Sequence, residues 1–283
     1  MEITAELVKK LRDKTGAGMM DCKKALAESN GDMDQAIDYL RKKGAATAEK
    51  RADRSANEGI IVTGIENGLG AMVEVNCETD FVARSNDFVD FARRVLHTVH
   101  KHKPVHVDAL LDLDHEGTRI ADHLTETIGK IGEKIAVKRF AVFQGANSVL
   151  VDYIHPGAKL GVMIELSCDT DCEDVRNLGK DLAMQVAAMS PIAVDRNAVP
   201  ESVREHEMEI YRQQAREMGK PEQMLDKIAE GKLNKFYQEF TLLEQSFIRD
   251  NTKTVKEHVD DVAKAVGKPV SVVRFERFQI GAE

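Results

Sequence analysis

The segment Gly70-Ala-Met-Val-Glu-Val-Asn-Cys-Glu-Thr-Asp80 returns without a gap as Gly161-Val-Met-Ile-Glu-Leu-Ser-Cys-Asp-Thr-Asp171. Gly, Met, Glu, Cys, Thr and Asp are identical, and Val73/Ile164, Val75/Leu166 and Glu78/Asp169 agree in character. Internal self-similarity of this kind means one supersecondary unit used twice, which narrows the fold more than any local propensity. Each copy follows a strand-like run, Ile60-Ile61-Val62 or Val149-Leu150-Val151, and a turn containing Gly68 or Gly157. Each precedes a helical apolar spacing, Phe88, Phe91, Ala92, Val95 in one and Leu178, Leu182, Ala183, Val186 in the other. Arg139-Phe140-Ala-Val-Phe143-Gln144 then matches Arg274-Phe275-Glu-Arg-Phe278-Gln279, so each half closes with a third strand. The predicted core is two α+β halves, each a hairpin, helices and a third strand.

Residues 1–47 read as three short helices. Thr4 caps a run carrying Leu7, Val8 and Leu11, which stops near Thr15-Gly16-Ala17-Gly18. Met19, Cys22 and Leu26 share a face of the second helix, and Asn30-Gly31 breaks it. Asp32 caps the third with Gln35 as reciprocal partner, and Met33, Ala36, Ile37 and Leu40 form its stripe. Residues 50–58 are polar and aperiodic, as a tether would be. In the second half, Met208, Tyr211, Ala215 and Met218, the turn Gly219-Lys220-Pro221, and Leu225, Ile228, Phe236 and Phe240 predict an antiparallel helical hairpin. Its 201–218 arm would reach about 27 Å. The expected divisions are a helical domain 1–50, a linker 51–58, a first core subdomain 59–147, and a second core subdomain 148–283 with the hairpin inserted at about 195–245.

Composition excludes several function classes. No apolar run reaches the ~18–20 residues of a membrane span. Met1-Glu2-Ile3-Thr4 leads into no apolar signal region, so a cytoplasmic location is expected. Four Cys in 283 residues are no disulfide framework. A net charge of −8 argues against nucleic acid as a direct ligand.

Among candidate chemistries, His97, His100, His102 and His106 lack the His-Glu-x-x-His spacing that sets two imidazoles and a base on one helical face, so no metal site is expected. Cys77, Cys168 and Cys172 form no paired Cys-x-x-Cys, which leaves packing or isolated thiol chemistry. Gly16-Ala17-Gly18 lacks the phosphate-loop frame and suits a helix–helix turn, leaving Met19 or Met20 exposed as an adaptable contact. Thr79-Asp80-Phe81-Val82 is the sharpest position. Its Thr and Asp recur in both copies and suit a capped strand-to-helix corner, whereas Phe81 is replaced by Cys172. Such a Phe either contacts a partner or tucks under the neighbouring helix.

Thr15-Gly-Ala-Gly-Met-Met-Asp-Cys-Lys-Lys-Ala-Leu26 and Glu74-Val-Asn-Cys-Glu-Thr-Asp-Phe-Val-Ala83 resemble the two signature segments of the elongation factor Ts family. Asp152-Tyr-Ile-His155, with Gly157 and Gly161, is similar to its third motif, and the likeness spans the whole chain. The resemblance implies a ubiquitin-associated-like three-helix domain before the duplicated core, with a coiled-coil insertion. It implies a guanine nucleotide exchange factor in protein biosynthesis, not an enzyme with a covalent reaction, needing no cofactor. The implied partner is elongation factor Tu, both GDP-bound and nucleotide-free. Thr79, Asp80, Phe81 and Val82 would enter that partner near its nucleotide and Mg2+, with Asp80 hydrogen-bonding and Phe81 wedging. Met19, Met20, Lys23 and His155 would be secondary contacts. Glu78 stands where relatives often carry Gln and would bring an acidic group to the magnesium pocket. The oligomeric state, including a homodimer or a two-plus-two complex, stays open.

Overall fold

The structure is a computed structural model that describes residues 3–145 and 147–282. Met1 and Glu2, the start of the segment expected to hold no leader, lie outside the described residues, as do Ala146, inside the predicted 59–147 subdomain, and Glu283. Helices α1 (Ala5–Thr15), α2 (Met19–Glu28) and α3 (Met33–Arg51) form the N-terminal bundle around Val8, Leu11, Cys22, Ala25, Leu26 and Ala36. Thr4 accepts from the Leu7 amide, and Gly16, at φ 67°, ends α1 in the left-handed conformation that glycine adopts freely. Asp32 likewise accepts from the Gln35 amide. Met19 is not in this core: it is the first residue of α2 and is 61% exposed.

α3 is longer than the sequence pattern predicts. It has 19 residues, and its second half leaves the bundle and crosses a core helix, α7 (Ile120–Ile131). The crossing is made by small residues, which is why no apolar stripe announces it. A Cβ added to Gly129 would lie 2.8 Å from the Gly44 Cα. Ala48 packs on the first core cluster. Lys50 and Arg51 are therefore helical and are not part of a free tether.

The first half runs β1 (Glu58–Glu66), β2 (Leu69–Cys77), α4 (Asp80–Ala83), α5 (Asn86–His102), α6 (Val107–Leu111), the two-residue pair β3 (Asp114–His115) and β4 (Thr118–Arg119), α7, and β5 (Ile135–Gln144). The second runs β6 (Ser148–Ile154), β7 (Leu160–Ser167), α8 (Glu173–Met189), the hairpin α9 (Glu201–Glu217) and α10 (Glu222–Phe240), β8 (Ser246–Phe247), β9 (Asp250–Thr254), α11 (Val255–Val266) and β10 (Ser271–Gln279). Both sheets are antiparallel and three-stranded, ordered β1-β2-β5 and β10-β7-β6, so the duplicated segment is the central strand each time. The hairpin closes on Met208, Ala229, Leu233, Phe236 and Tyr237. Met218, just past the end of α9, and Phe240, the last residue of α10, fall outside its seam and are 67% and 39% exposed. Among the described residues no helix is long and apolar enough to cross a membrane.

Each central strand is covered on both faces. Ala71, Val73, Val75 and Cys77 point to the helices of the first half, and Val162, Ile164, Leu166 and Cys168 to those of the second. The opposite faces meet each other through Ile61, Met72, Phe143, Met163 and Phe278. Contacts there are exchanged between repeat mates. A Cβ on Gly70 would meet the Met163 sulfur at 2.6 Å, and one on Gly161 would meet Ile61 at 2.6 Å and the Met72 sulfur at 3.2 Å. Glu74, fully buried, accepts from Arg139 Nε at 2.7 Å, and Glu165 accepts from Arg274 Nε at 2.8 Å. The Arg139 guanidinium stacks 4.2 Å from the Phe278 ring centre, and Arg274 stacks 4.2 Å from that of Phe143.

Removing Arg139 leaves the buried Glu74 carboxylate with the Asn76 amide at 3.3 Å and Lys138 Nζ at 3.8 Å, without its close charged partner. Arg139→Met should lower unfolding stability by ~3 kcal/mol, read as a reduced midpoint in urea denaturation. An unchanged midpoint would show that this pair contributes nothing to joining the sheets.

Candidate partner-contact site

Where β2 ends, the chain turns through one helical turn before α5. Thr79 caps that turn: its hydroxyl accepts from the Val82 amide at 3.4 Å. The same residue is gripped from below, its amide donating to Glu133 Oε2 at 3.0 Å and its hydroxyl to Glu133 Oε1 at 2.8 Å. Val82 packs on the first core and Ala83 is buried in it. Phe81 lies on the opposite side of the turn and is 83% exposed. It does not tuck under α5. Asp80 forms an i,i+4 pair with Arg84 at 2.5 Å.

The second copy of the corner differs by length. Eight residues, 78–85, separate Cys77 from α5, but only four, 169–172, separate Cys168 from α8. The second half therefore has no helix matching α4, and Cys172 directly precedes α8. The gapless alignment sets Phe81 opposite Cys172, yet Phe81 rides on a turn that the duplicate lacks.

Glu78 does not face outward as an acidic group for a partner's magnesium pocket. It accepts from the Lys134 amide at 2.7 Å, from Arg51 at 2.7 Å and from Arg54 at 3.0 Å. Lys134 Nζ in turn donates to the carbonyls of Ala52 and Arg54 at 2.6 and 2.7 Å. The Lys134 amide, and after it the two guanidinium donors, hold the Glu78 carboxyl down at about 2. The end of α3 and the following linker are thus fastened to the base of the corner.

The remaining sequence candidates lie elsewhere. Met19 and Met20 are 61% and 74% exposed on α2, so both are free for contact, where the sequence pattern requires only one. Lys23, a turn later, is also exposed. His155 is exposed in the turn between β6 and β7, its Nδ1 2.9 Å from the Tyr153 hydroxyl. That turn is stitched to the first half by the Ile61 amide, which donates to Ala158 O at 2.7 Å. The corner, the α2 face and the His155 turn occupy three different modules, with no hydrogen bond joining them among the described residues.

Thiol chemistry finds no support at Cys77. Burial, with Glu133 next, pushes its thiol up to about 12, and its sulfur donates to Thr79 O at 3.1 Å. The histidines are dispersed: His100 bonds Gly64 O, His106 caps α6, and His102 is exposed. His97 instead meets His115 with ring centres 5.2 Å apart. Among the described residues no group of three or more His, Cys, Asp or Glu side chains is placed to hold a metal ion.

The sequence reading passed over Glu133 and Lys134. The available signal was the closing-strand repeat: extended back from Arg139 and Arg274, it sets Glu133 opposite Lys268. A carboxyl held low in the folded state stabilises that state above its unfolded value near 4.3, and the gain disappears as pH falls toward 2. Glu78→Gln should therefore be less stable than the parent by roughly 1–2 kcal/mol at pH 7, allowing for solvent screening at this rim position. The gap should close between about pH 4.5 and 2 in denaturation curves taken along that range. A gap independent of pH would contradict the charge argument.

The sequence profile described as Elongation factor TS matches residues 78–282. The protein named Elongation factor Ts from Prosthecochloris aestuarii is 48% identical over 287 aligned residues, covering 99% of both chains. The one from Chlorobium luteolum is 49% identical, again over 99% of both. That from Clostridium perfringens is 43% identical over 99% of this chain and 93% of its own. Similarity of this extent takes in the N-terminal bundle, both core halves, the hairpin and the Phe81 corner together, and the chain belongs to the elongation factor Ts family.

Proposed function

We propose that this protein binds elongation factor Tu in its GDP-bound and nucleotide-free states and promotes GDP release, allowing GTP to rebind. The observation that carries the reading is Phe81: a large aromatic ring 83% exposed on a one-turn helix whose Val82 and Ala83 are anchored in the core. Leaving such a ring in water is unfavourable, and a monomer gains nothing from it. A GTPase holds GDP through phosphate-loop amides and Mg2+, so a wedge inserted beside that site acts where the nucleotide is held. The chain would carry out no covalent step. It would bind the nucleotide-free partner more tightly than the loaded one, and linkage weakens nucleotide binding by the same factor.

The distortion must be offset by contacts made elsewhere. Met19 and Met20 offer adaptable apolar area beside the cation of Lys23, and His155 offers a polar contact from the second half. Three modules touching one partner at separate points would hold it while the corner presses in.

Release of a fluorescent GDP from elongation factor Tu tests the reading. Phe81→Ala should leave the melt within about 0.5 kcal/mol of the parent, since the ring is exposed. Catalysed release should fall about tenfold or more, as for loss of an interfacial anchor. Asp171→Ala, at the second copy's corner, should release GDP like the parent. Release unaffected by Phe81→Ala would overturn the wedge.

Replacing both Met19 and Met20 by Glu should separate docking from distortion. The concentration of factor giving half-maximal release should rise about tenfold, with the maximal rate and the melt little changed. A lowered maximal rate with unchanged half-saturation would remove α2 from the docking role.

A further inference from the structure

We propose that Glu133 is a positioning residue for nucleotide exchange: it sets the angle at which the Asp80–Phe81 turn is presented, acting through Thr79. The inference rests on the exchange reading above. Its first support is geometric. Both Glu133 oxygens are engaged by one residue, taking the Thr79 amide at 3.0 Å and the Thr79 hydroxyl at 2.8 Å. Hydrogen bonds to a carboxylate are stronger than neutral ones, and a two-point grip fixes orientation as well as position. The next residue completes a reciprocal clasp, because the Lys134 amide donates to Glu78, the neighbour of Thr79, at 2.7 Å. Two carboxylates, one from each segment, thus lock the end of β2 to the chain entering β5.

The second support is the internal duplicate, which serves as a control within the same molecule. At Glu133's place the second half has Lys268, following Gly267 as Glu133 follows Gly132. Lys268 pairs with Asp169 at 3.0 Å, and the Thr170 hydroxyl turns to Asp169 as well. That half still forms its strand, its Cys168-to-Thr170 contact at 3.3 Å and its helix. The carboxylate grip on Thr is therefore dispensable for building a strand-to-helix corner. It is present in the half that carries the extra turn and the exposed Phe81.

The third support is the weakness of that turn by itself. A four-residue helix closes too few internal bonds to hold its own orientation. Val82 and Ala83 anchor its far end to the core, so Thr79 is the near-end anchor; Glu133 holds it by two charge-assisted bonds, beside a weaker Cys77 thiol contact of the kind the second half also makes. Without the grip, α4 would swivel about its Val82–Ala83 end while the sheet beneath stayed folded.

The test is a saturation series in the fluorescent GDP release assay, with the full-length chain and elongation factor Tu, on the parent, Glu133→Ala, Glu133→Gln, Thr79→Val and the double variant Glu133→Ala/Thr79→Val. Glu133→Ala should lower the maximal release rate about tenfold, the loss appropriate to a charge-assisted pair of bonds. Its half-saturating concentration should stay within about twofold, because binding area elsewhere is untouched. Glu133→Gln keeps one acceptor and should recover part of the rate. The double variant should be no slower than the slower single variant, as expected when one residue acts through the other. Normal maximal rates in both Glu133 variants, beside an active parent, would overturn the positioning role alone. So would a loss that merely tracks the folded fraction in parallel melts, or additive losses in the double variant. A parent that fails to accelerate release would instead overturn the exchange reading, and the inference with it.

Discussion

The molecule depends on two buried carboxylates, one on each central strand, at the pseudo-twofold interface between the halves. Glu74 and Glu165 sit on the inward faces of the two central strands, each bound to the arginine of its own closing strand. Those arginines then stack on the phenylalanine of the other half's closing strand. A buried carboxylate without such a partner would be strongly destabilising, so each half needs its Arg, and each Arg needs the other half to cover it. Gly70 and Gly161 let the sheets approach closely enough for this, with methionine sulfur from the opposite half filling the space a Cβ would take. The duplicated core is in this sense one body with a seam. A self-complementary patch repeated on both halves is the intramolecular counterpart of an isologous dimer contact.

A rigid seam permits asymmetry at the periphery. Each half can vary its loops without disturbing the shared centre, and the two corners show how far that has gone. One is a short connection fastened by the pair Asp169–Lys268. The other has a helical turn, a carboxylate grip and an aromatic ring in solvent. The hairpin and the N-terminal bundle are further additions on the same frame. The bundle is joined to the core by a glycine-to-glycine crossing, by Ala48 and by the arginines that reach Glu78. Orientation between bundle and corner is thereby set by charge and close backbone approach, both of which are sharply distance-dependent.

Several features were legible before any coordinates. The repeat announced two equivalent halves because identical inward-facing residues must satisfy identical neighbours. Helix ends at Thr4, Gly16 and Asp32 were legible because caps act locally, through a side chain and an amide a few residues apart. The α3–α7 crossing was not, since Gly44, Ala48 and Gly129 carry no hydrophobic signal. Glu78 was misread for a related reason. An acidic residue beside a signature motif suggests an outward role, and its true partners come from residues 27, 24 and 56 positions away in the chain.

The sequence by itself determined the α+β class, the duplicated unit, the hairpin insertion and the family, because these follow from periodicity and from long matched segments. It also marked the Thr79–Val82 corner as the place where the two copies part. Tertiary structure alone decided that Phe81 stands in solvent, that Glu78 is spent internally and that Glu133 holds Thr79. Exposure and hydrogen-bond partnership depend on which distant segments arrive at a position. Here they depend on a helix crossing through glycines and on a four-residue difference in connection length, and neither has a local signature.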